Sequence, residues 1–111
     1  MERFVVGDVV VMNYRYSDCS GYKRRPALVL STPIDENIIV CQITTRLYAD
    51  PFVVSLNEKD FNLGALKESS FIRPNKMGTY DLKSIHYKIG ELNMNKIKEM
   101  GAMLKKILPI Y

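Results

Sequence analysis

Tryptophan is absent from this sequence, and histidine occurs once, at His86. The core must therefore rest on Val, Ile, Leu, Met and the four Phe. A ribonuclease centre with one histidine as base and a second as acid is excluded. Cysteine is scarce as well: Cys19 and Cys41 are too few for a disulfide framework. Cys41 sits inside Ile38-Ile39-Val40-Cys41-Gln42-Ile43 and reads as a buried core thiol. No apolar run approaches 18 residues, so no membrane-spanning helix is expected. The twelve acidic residues are scattered, Asp35-Glu36 being the one adjacent pair, so no metal site is expected. There is no phosphate-binding glycine loop, dinucleotide fingerprint or nucleophile elbow, and no cofactor is implied. The stretch Met1 to Asp8 carries no signal-peptide pattern, and a reducing cytoplasm is the expected location.

What is present fits a single domain over residues 1–111, of which 47% are hydrophobic and 25% charged, the balance of a soluble globular chain. A domain of this size buries roughly two thirds of its unfolded surface, enough for a real core. Net charge is +4 with an isoelectric point near 9.1, which points to a polyanionic partner. The charge is also uneven. Arg15, Lys23, Arg24 and Arg25 face only Asp18 between positions 15 and 25, four positive charges less one negative, a local net of +3. Arg46 and Arg73 follow strand-like runs, where strands would end. Solvated surface charge is the plain alternative.

Along the chain, Val9 to Tyr14 is β-rich, and Arg15 to Arg24 reads as a loop of about ten residues. Pro26-Ala27-Leu28-Val29-Leu30-Ser31 and Asn37 to Ile43 form an expected hairpin of buried strands around a turn at residues 32–36. Further strands are expected at Phe52 to Ser55, Ser70 to Arg73 and around Tyr87 to Glu91, with one helical turn at residues 81–85. Asn93 then caps a helix whose Met94, Ile97, Met100, Leu104, Ile107 and Leu108 recur at helical spacing. Lys96, Lys98, Glu99, Lys105 and Lys106 fall largely on the other face, and Pro109 ends the helix. Short strands followed by one amphipathic helix predict a small, strongly bent β-barrel capped by a helix.

The chemistry left open is that of arginines and hydroxyls. RNA can be cleaved through its own 2′-hydroxyl without an outside nucleophile. The protein must align the phosphate, neutralise the phosphorane, and help protons off the 2′-oxygen and onto the 5′-oxygen. Guanidinium forks suit the second task because they hold phosphate oxygens bidentately. Hydroxyls and backbone amides can orient the phosphate.

Three blocks carry a resemblance. Gly7-Asp8-Val9-Val10, a polar loop, and Ser20-Gly21-Tyr22-Lys23-Arg24-Arg25-Pro26-Ala27-Leu28-Val29-Leu30-Ser31 form the first. Val40-Cys41-Gln42-Ile43-Thr44-Thr45 is the second. Glu68 to Arg73, with Lys76 to Lys83 behind it, is the third. Together with the terminal helix they resemble the MazF/PemK family of toxin endoribonucleases over nearly the whole chain. The resemblance implies a mainly β fold with short helices: an SH3-like five-stranded barrel with a carboxy-terminal amphipathic helix, paired as a homodimer. It implies metal-independent cleavage of single-stranded RNA, no cofactor, and neutralisation by a cognate antitoxin protein.

By the same resemblance Arg25 matches the arginine of phosphate stabilisation and proton transfer, and Thr44 the threonine that holds the scissile phosphate. Arg73 matches an arginine that some PemK-type members use in catalysis. RNA-binding candidates are Lys23, Arg24, Thr45, Arg46, Asn75 and Lys76. Two positions depart from the family pattern. Ser20 stands where many members carry an acid, leaving Asp18 as the nearest carboxylate. Asn75 stands where some PemK-type members have Asp, and an amide cannot exchange a proton. Two rivals remain: a non-catalytic nucleic-acid-binding barrel, with Tyr14, Tyr16 and Tyr22 as stacking surfaces, and a gyrase-targeting toxin of the same fold. The tail Leu108-Pro109-Ile110-Tyr111 shows no recognisable signature of the second.

Overall fold

A computed structural model describes residues 4–15 and 20–110, except for the side chain of Arg15. Tyr16, Asp18 and Cys19, considered above for stacking, acid and thiol roles, lie outside the described residues. Among the described residues seven strands form one sheet: β1 (Asp8–Arg15), β2 (Tyr22–Val29), β3 (Asn37–Thr44), β4 (Val54–Leu56), β5 (Phe61–Gly64), β6 (Ser70–Asp81) and β7 (Ile85–Leu92). The order across it is β4-β6-β3-β2-β1-β7-β5, with every pairing antiparallel. Five strands are long, and the two short edges are β4, which overlaps the strand expected at Phe52 to Ser55, and β5, which no expectation covered. Helix α1 (Met94–Ile107) follows β7. The mainly β fold with a terminal amphipathic helix is therefore as the sequence implied.

The apolar runs of β1 and β2 are buried on both faces, which is why they read as continuous rather than alternating, whereas β3 exposes Ile39 between buried Ile38 and Val40. Side chains of a strand alternate between faces. Val9, Leu28, Cys41, Ile43 and Ile72 accordingly join Val54, Leu56, Leu92 and Met100 in one cluster. Val10, Met12, Ala27, Val29, Ile38 and Val40 join Phe4 in the other. The hairpin between β2 and β3 turns on Asp35 and Glu36, both at positive φ (50° and 66°), the geometry of a two-residue primed turn. Gly7, at φ 96°, accepts from the Leu92 N–H and donates to the Val29 carbonyl, tying the start of β1 to two other strands.

Three local expectations shift. Residues 22–25 belong to β2 rather than to a loop, so Lys23 and Arg25 are fixed by ladder pairing. The fourth strand begins at Val54, not Phe52, because Asp50 Oδ1 accepts the Phe52 N–H (2.9 Å) and holds that segment in a turn. Arg73 lies within the twelve-residue β6 and not at a strand end. Beyond it Pro74, Asn75 and Lys76 bulge, since Gln42 pairs with Arg73 while the adjacent Cys41 pairs with Met77. Pro74 brings no N–H to the ladder, which suits it to a bulge.

The helix is capped as expected, with Asn93 Oδ1 accepting the Lys96 N–H at 2.9 Å. Ile97, Met100 and Met103 pack on the first cluster, while Met94 stays exposed. Lys96 departs from its expected solvent face. It is buried, and its ammonium donates to the Ser55 carbonyl (2.9 Å) and Glu99 Oε1 (2.8 Å), with Asp60 Oδ2 at 3.6 Å. These acceptors come from three separate segments, so helical spacing alone could not place that lysine.

Candidate functional site

An open cleft of about 480 Å³ lies where β2 and β3 part. The two strands pair only over Ala27–Val29 against Val40–Gln42, and the ladder stops at Pro26. Residues 22–26 therefore pair with β1 alone. Tyr14, Lys23, Arg25 and Pro26 line one wall. The other wall is Gln42 to Arg46 together with Tyr48, and Ser70 of β6 closes one end.

Pairing decides which basic residues meet. Tyr14 is opposite Lys23 and Met12 opposite Arg25, so the lysine and arginine share the face that carries Tyr14 into the cleft. Arg24 is opposite Asn13 and points to the other face. There Asn13 Oδ1 meets His86 Nε2 at 2.9 Å, which gives the single histidine a partner away from the cleft. Lys23, Arg25 and Arg46 thus line the cleft, and among the described residues no carboxylate does. Such a surface attracts an anion, and the open guanidinium of Arg25 can fork onto two oxygens of it.

Thr44 ends β3, and its Oγ1 accepts the Arg46 N–H at 3.1 Å, holding the turn into the 45–50 segment. The hydroxyl proton stays available to donate. Thr45 is exposed and stands between the cleft and a second, mainly apolar groove of about 320 Å³, which Val11, Pro26, Leu66, Tyr87 and Ile89 also line.

Arg73 is differently placed. Its side chain is 12% exposed, with Nη2 3.5 Å from Asp50 Oδ2, Nη1 3.4 Å from Gln42 Oε1, and the guanidinium 3.9 Å from the Tyr48 ring centroid. Arg46 reaches the same ring at 5.3 Å. Arg73 does not line the cleft, but two of its partners, Gln42 and Tyr48, do. Asn75 and Lys76 are exposed in the β6 bulge and line no part of the cleft. The structure therefore gathers Lys23, Arg25, Thr44, Thr45 and Arg46 from the sequence-derived set, and leaves Arg24, Arg73, Asn75 and Lys76 outside the cleft wall.

Sequence reasoning did not single out Gln42, Tyr48 or Asp50, and it took Tyr14 only as a stacking ring. The signal for Gln42 was a polar residue breaking an apolar strand; Tyr48 and Asp50 carry none, because their roles depend on a residue more than twenty positions away. Burial raises the Tyr14 phenol well above its ordinary range, helped by the neighbouring Tyr80 and Cys41. Burial also raises Tyr80, and pushes the Cys41 thiol up to about 12. Among the described residues, no group of three or more His, Cys, Asp or Glu could hold a metal ion. No helix there is long and apolar enough to cross a membrane.

Residues 6–108 match the family model described as PemK-like, MazF-like toxin of type II toxin–antitoxin system. A comparison with curated proteins finds no match. Among solved structures, the MazE–MazF complex of Deinococcus radiodurans superimposes with a TM-score of 0.79 at 23% identity, covering 100% of both chains. An endoribonuclease in complex with its cognate antitoxin, from a mycobacterial species, gives 0.75 at 16% identity over 100% of this chain and 98% of the other. A second mycobacterial endoribonuclease gives 0.76 at 14% identity, over 99% and 95%.

Proposed function

The chain belongs to the PemK-like, MazF-like toxin family of type II toxin–antitoxin systems, and on that premise we propose that it is an endoribonuclease acting on single-stranded RNA. The observation that carries this reading is the cleft itself. Lys23 and Arg25 stand on one face of β2, Thr44 stands across from them, and no described carboxylate lines the walls. That arrangement suits a phosphodiester.

Cleavage follows from these groups. The 2′-oxygen of the nucleotide attacks its own phosphorus, forming the 2′-O–P bond as the P–O5′ bond breaks. The products are a 2′,3′-cyclic phosphate and a 5′-hydroxyl. The 2′-hydroxyl loses its proton and the departing 5′-oxygen gains one, so the step balances without an added nucleophile. Arg25 grips the non-bridging oxygens through its fork and stabilises their growing charge. Lys23 adds a second positive charge on the same wall. Thr44 donates a hydrogen bond from its hydroxyl to the phosphate and fixes its position. In this reading Thr45 and Arg46 hold the flanking backbone, and the activity needs no metal.

Two partners belong to the same proposal. A flexible acidic segment of a cognate antitoxin would cover the cationic cleft and block RNA. Raising salt from low to physiological should then weaken the complex, and an unchanged affinity would remove the electrostatic part. A second copy of the chain would extend the RNA groove. Action on cellular RNA places the protein in the cytoplasm.

The test is an oligonucleotide gel in excess EDTA. The RNA should be cut to fragments ending in cyclic phosphate, whereas DNA of the same sequence lacks the 2′-oxygen and should stay intact. RNA that is bound but never cut would identify a binding barrel instead.

A further inference from the structure

Among the described residues, the cleft holds a buried hydroxyl with no hydrogen-bond partner, the phenol of Tyr14. Leaving a buried hydroxyl unpaired destabilises a fold, and such groups in native proteins call for an explanation. The ring is well fixed. It packs edge-on against Tyr80 with centroids 5.3 Å apart, and β-pairing sets Tyr14 directly opposite Lys23, one of the cleft's cations. A rigid ring that carries an unpaired O–H beside two cationic side chains is suited to meet an anion's oxygen.

We propose that the Tyr14 hydroxyl, which solvent does not reach in this structure, becomes a hydrogen-bond donor to a non-bridging oxygen of the scissile phosphodiester once the side chains covering it move aside, a third contact beside Arg25 and Thr44. The proposal rests on the reading of the cleft as an RNA-cleaving site. Burial keeps the phenol protonated at any working pH, so the group donates and does not serve as a base. No proton is transferred: the O–H contact shortens as charge grows on the phosphorane oxygen and relaxes in the product. A preorganised neutral donor of this kind stabilises the transition state more than the ground state.

The test is Tyr14→Phe, which removes the oxygen and keeps the ring against Tyr80. We expect kcat to fall about ten- to a hundredfold, the scale of losing one donor to a charged oxygen. The melting temperature should stay level or rise, because the variant no longer buries an unpaired hydroxyl. A merely structural tyrosine would show the reverse. The second measurement uses RNA with sulfur replacing either non-bridging oxygen at the cut site. Sulfur accepts hydrogen bonds weakly, so one diastereomer should slow the wild type and slow Tyr14→Phe much less.

Equal kcat in wild type and variant, or the same sulfur effect in both, overturns the role of Tyr14 while the cleft reading stands. A lower melting temperature with unchanged kcat identifies an internal structural hydroxyl and also overturns it. If the wild type itself cuts no RNA, the reading of the cleft fails and the Tyr14 contact goes with it.

Discussion

Arg25 and Arg73 were both drawn from the same pattern, yet the structure separates them, and their alanine variants should fail in different ways. Arg25 is exposed at the cleft and has no ion pair among the described residues. Its removal should leave stability within about 0.5 kcal/mol, the usual range for a surface position. Cleavage should drop by about 10² or more, because a preorganised donor to a developing oxyanion is lost. Arg25→Lys should not restore it, since a point charge cannot reproduce the fork. Arg73 is 12% exposed and holds Asp50, itself 7% exposed, along with Gln42 and the Tyr48 ring.

Arg73→Ala leaves the Asp50 carboxylate buried without its cation and removes a guanidinium packed on an aromatic face. Losing one partner of a buried pair costs about 3–5 kcal/mol. The pair here is 3.5 Å apart and not fully enclosed, so about 2–3 kcal/mol is the better figure, scaled down from that range. For a domain of this size each kcal/mol moves the melting temperature by roughly 4 °C, giving a fall of about 8–12 °C. The assay is thermal unfolding of wild type, Arg25→Ala and Arg73→Ala, with cleavage of one RNA oligonucleotide in EDTA measured well below the lowest midpoint. Arg73→Ala melting within about 2 °C of wild type would refute the clamp. Equal cleavage by wild type and Arg25→Ala would place the chemistry elsewhere.

Thr44→Ala should slow cleavage about tenfold or more, as expected for one hydrogen bond to a charged phosphate oxygen, and single-turnover rates would show whether the loss lies in the chemical step. The Cys41 thiol, pushed up to about 12 from 9.0 by burial, stays neutral in the fold while the unfolded chain ionises it. Its contribution is complete below about pH 9 and is lost as pH rises toward 12, at about 1.4 kcal/mol per pH unit. Urea midpoints between pH 8 and 11 should therefore fall more steeply for wild type than for Cys41→Val, and parallel curves would refute the assignment. In solution the chain should sediment as a homodimer, and a mass near 12.8 kDa at micromolar concentration would count against that.

Composition and local pattern determined the architecture's vocabulary. Continuous apolar runs such as Val9 to Met12 and Ala27 to Val29 required strands buried on both faces. Asn93 before a three-and-four spacing required a capped terminal helix. The Arg25-Pro26 step and the Thr44-Thr45 strand end were legible because each is a short contiguous signal. Tertiary structure decided what those residues meet. The pleat put Lys23 and Arg25 in the cleft and turned Arg24 away to Asn13, a separation invisible in a run of like charges. The ladder's end at Pro26 opened the cleft. Arg73 became a buried clamp because strand pairing set it beside Gln42 while the turn held by Asp50 brought Tyr48 over it. Lys96, on what spacing made a polar helix face, found acceptors at Ser55, Asp60 and Glu99. Local periodicity can record which way a side chain points along its own element. The partner across a sheet or at a helix junction depends on chain closure over tens of residues, and only the folded chain brings it into reach.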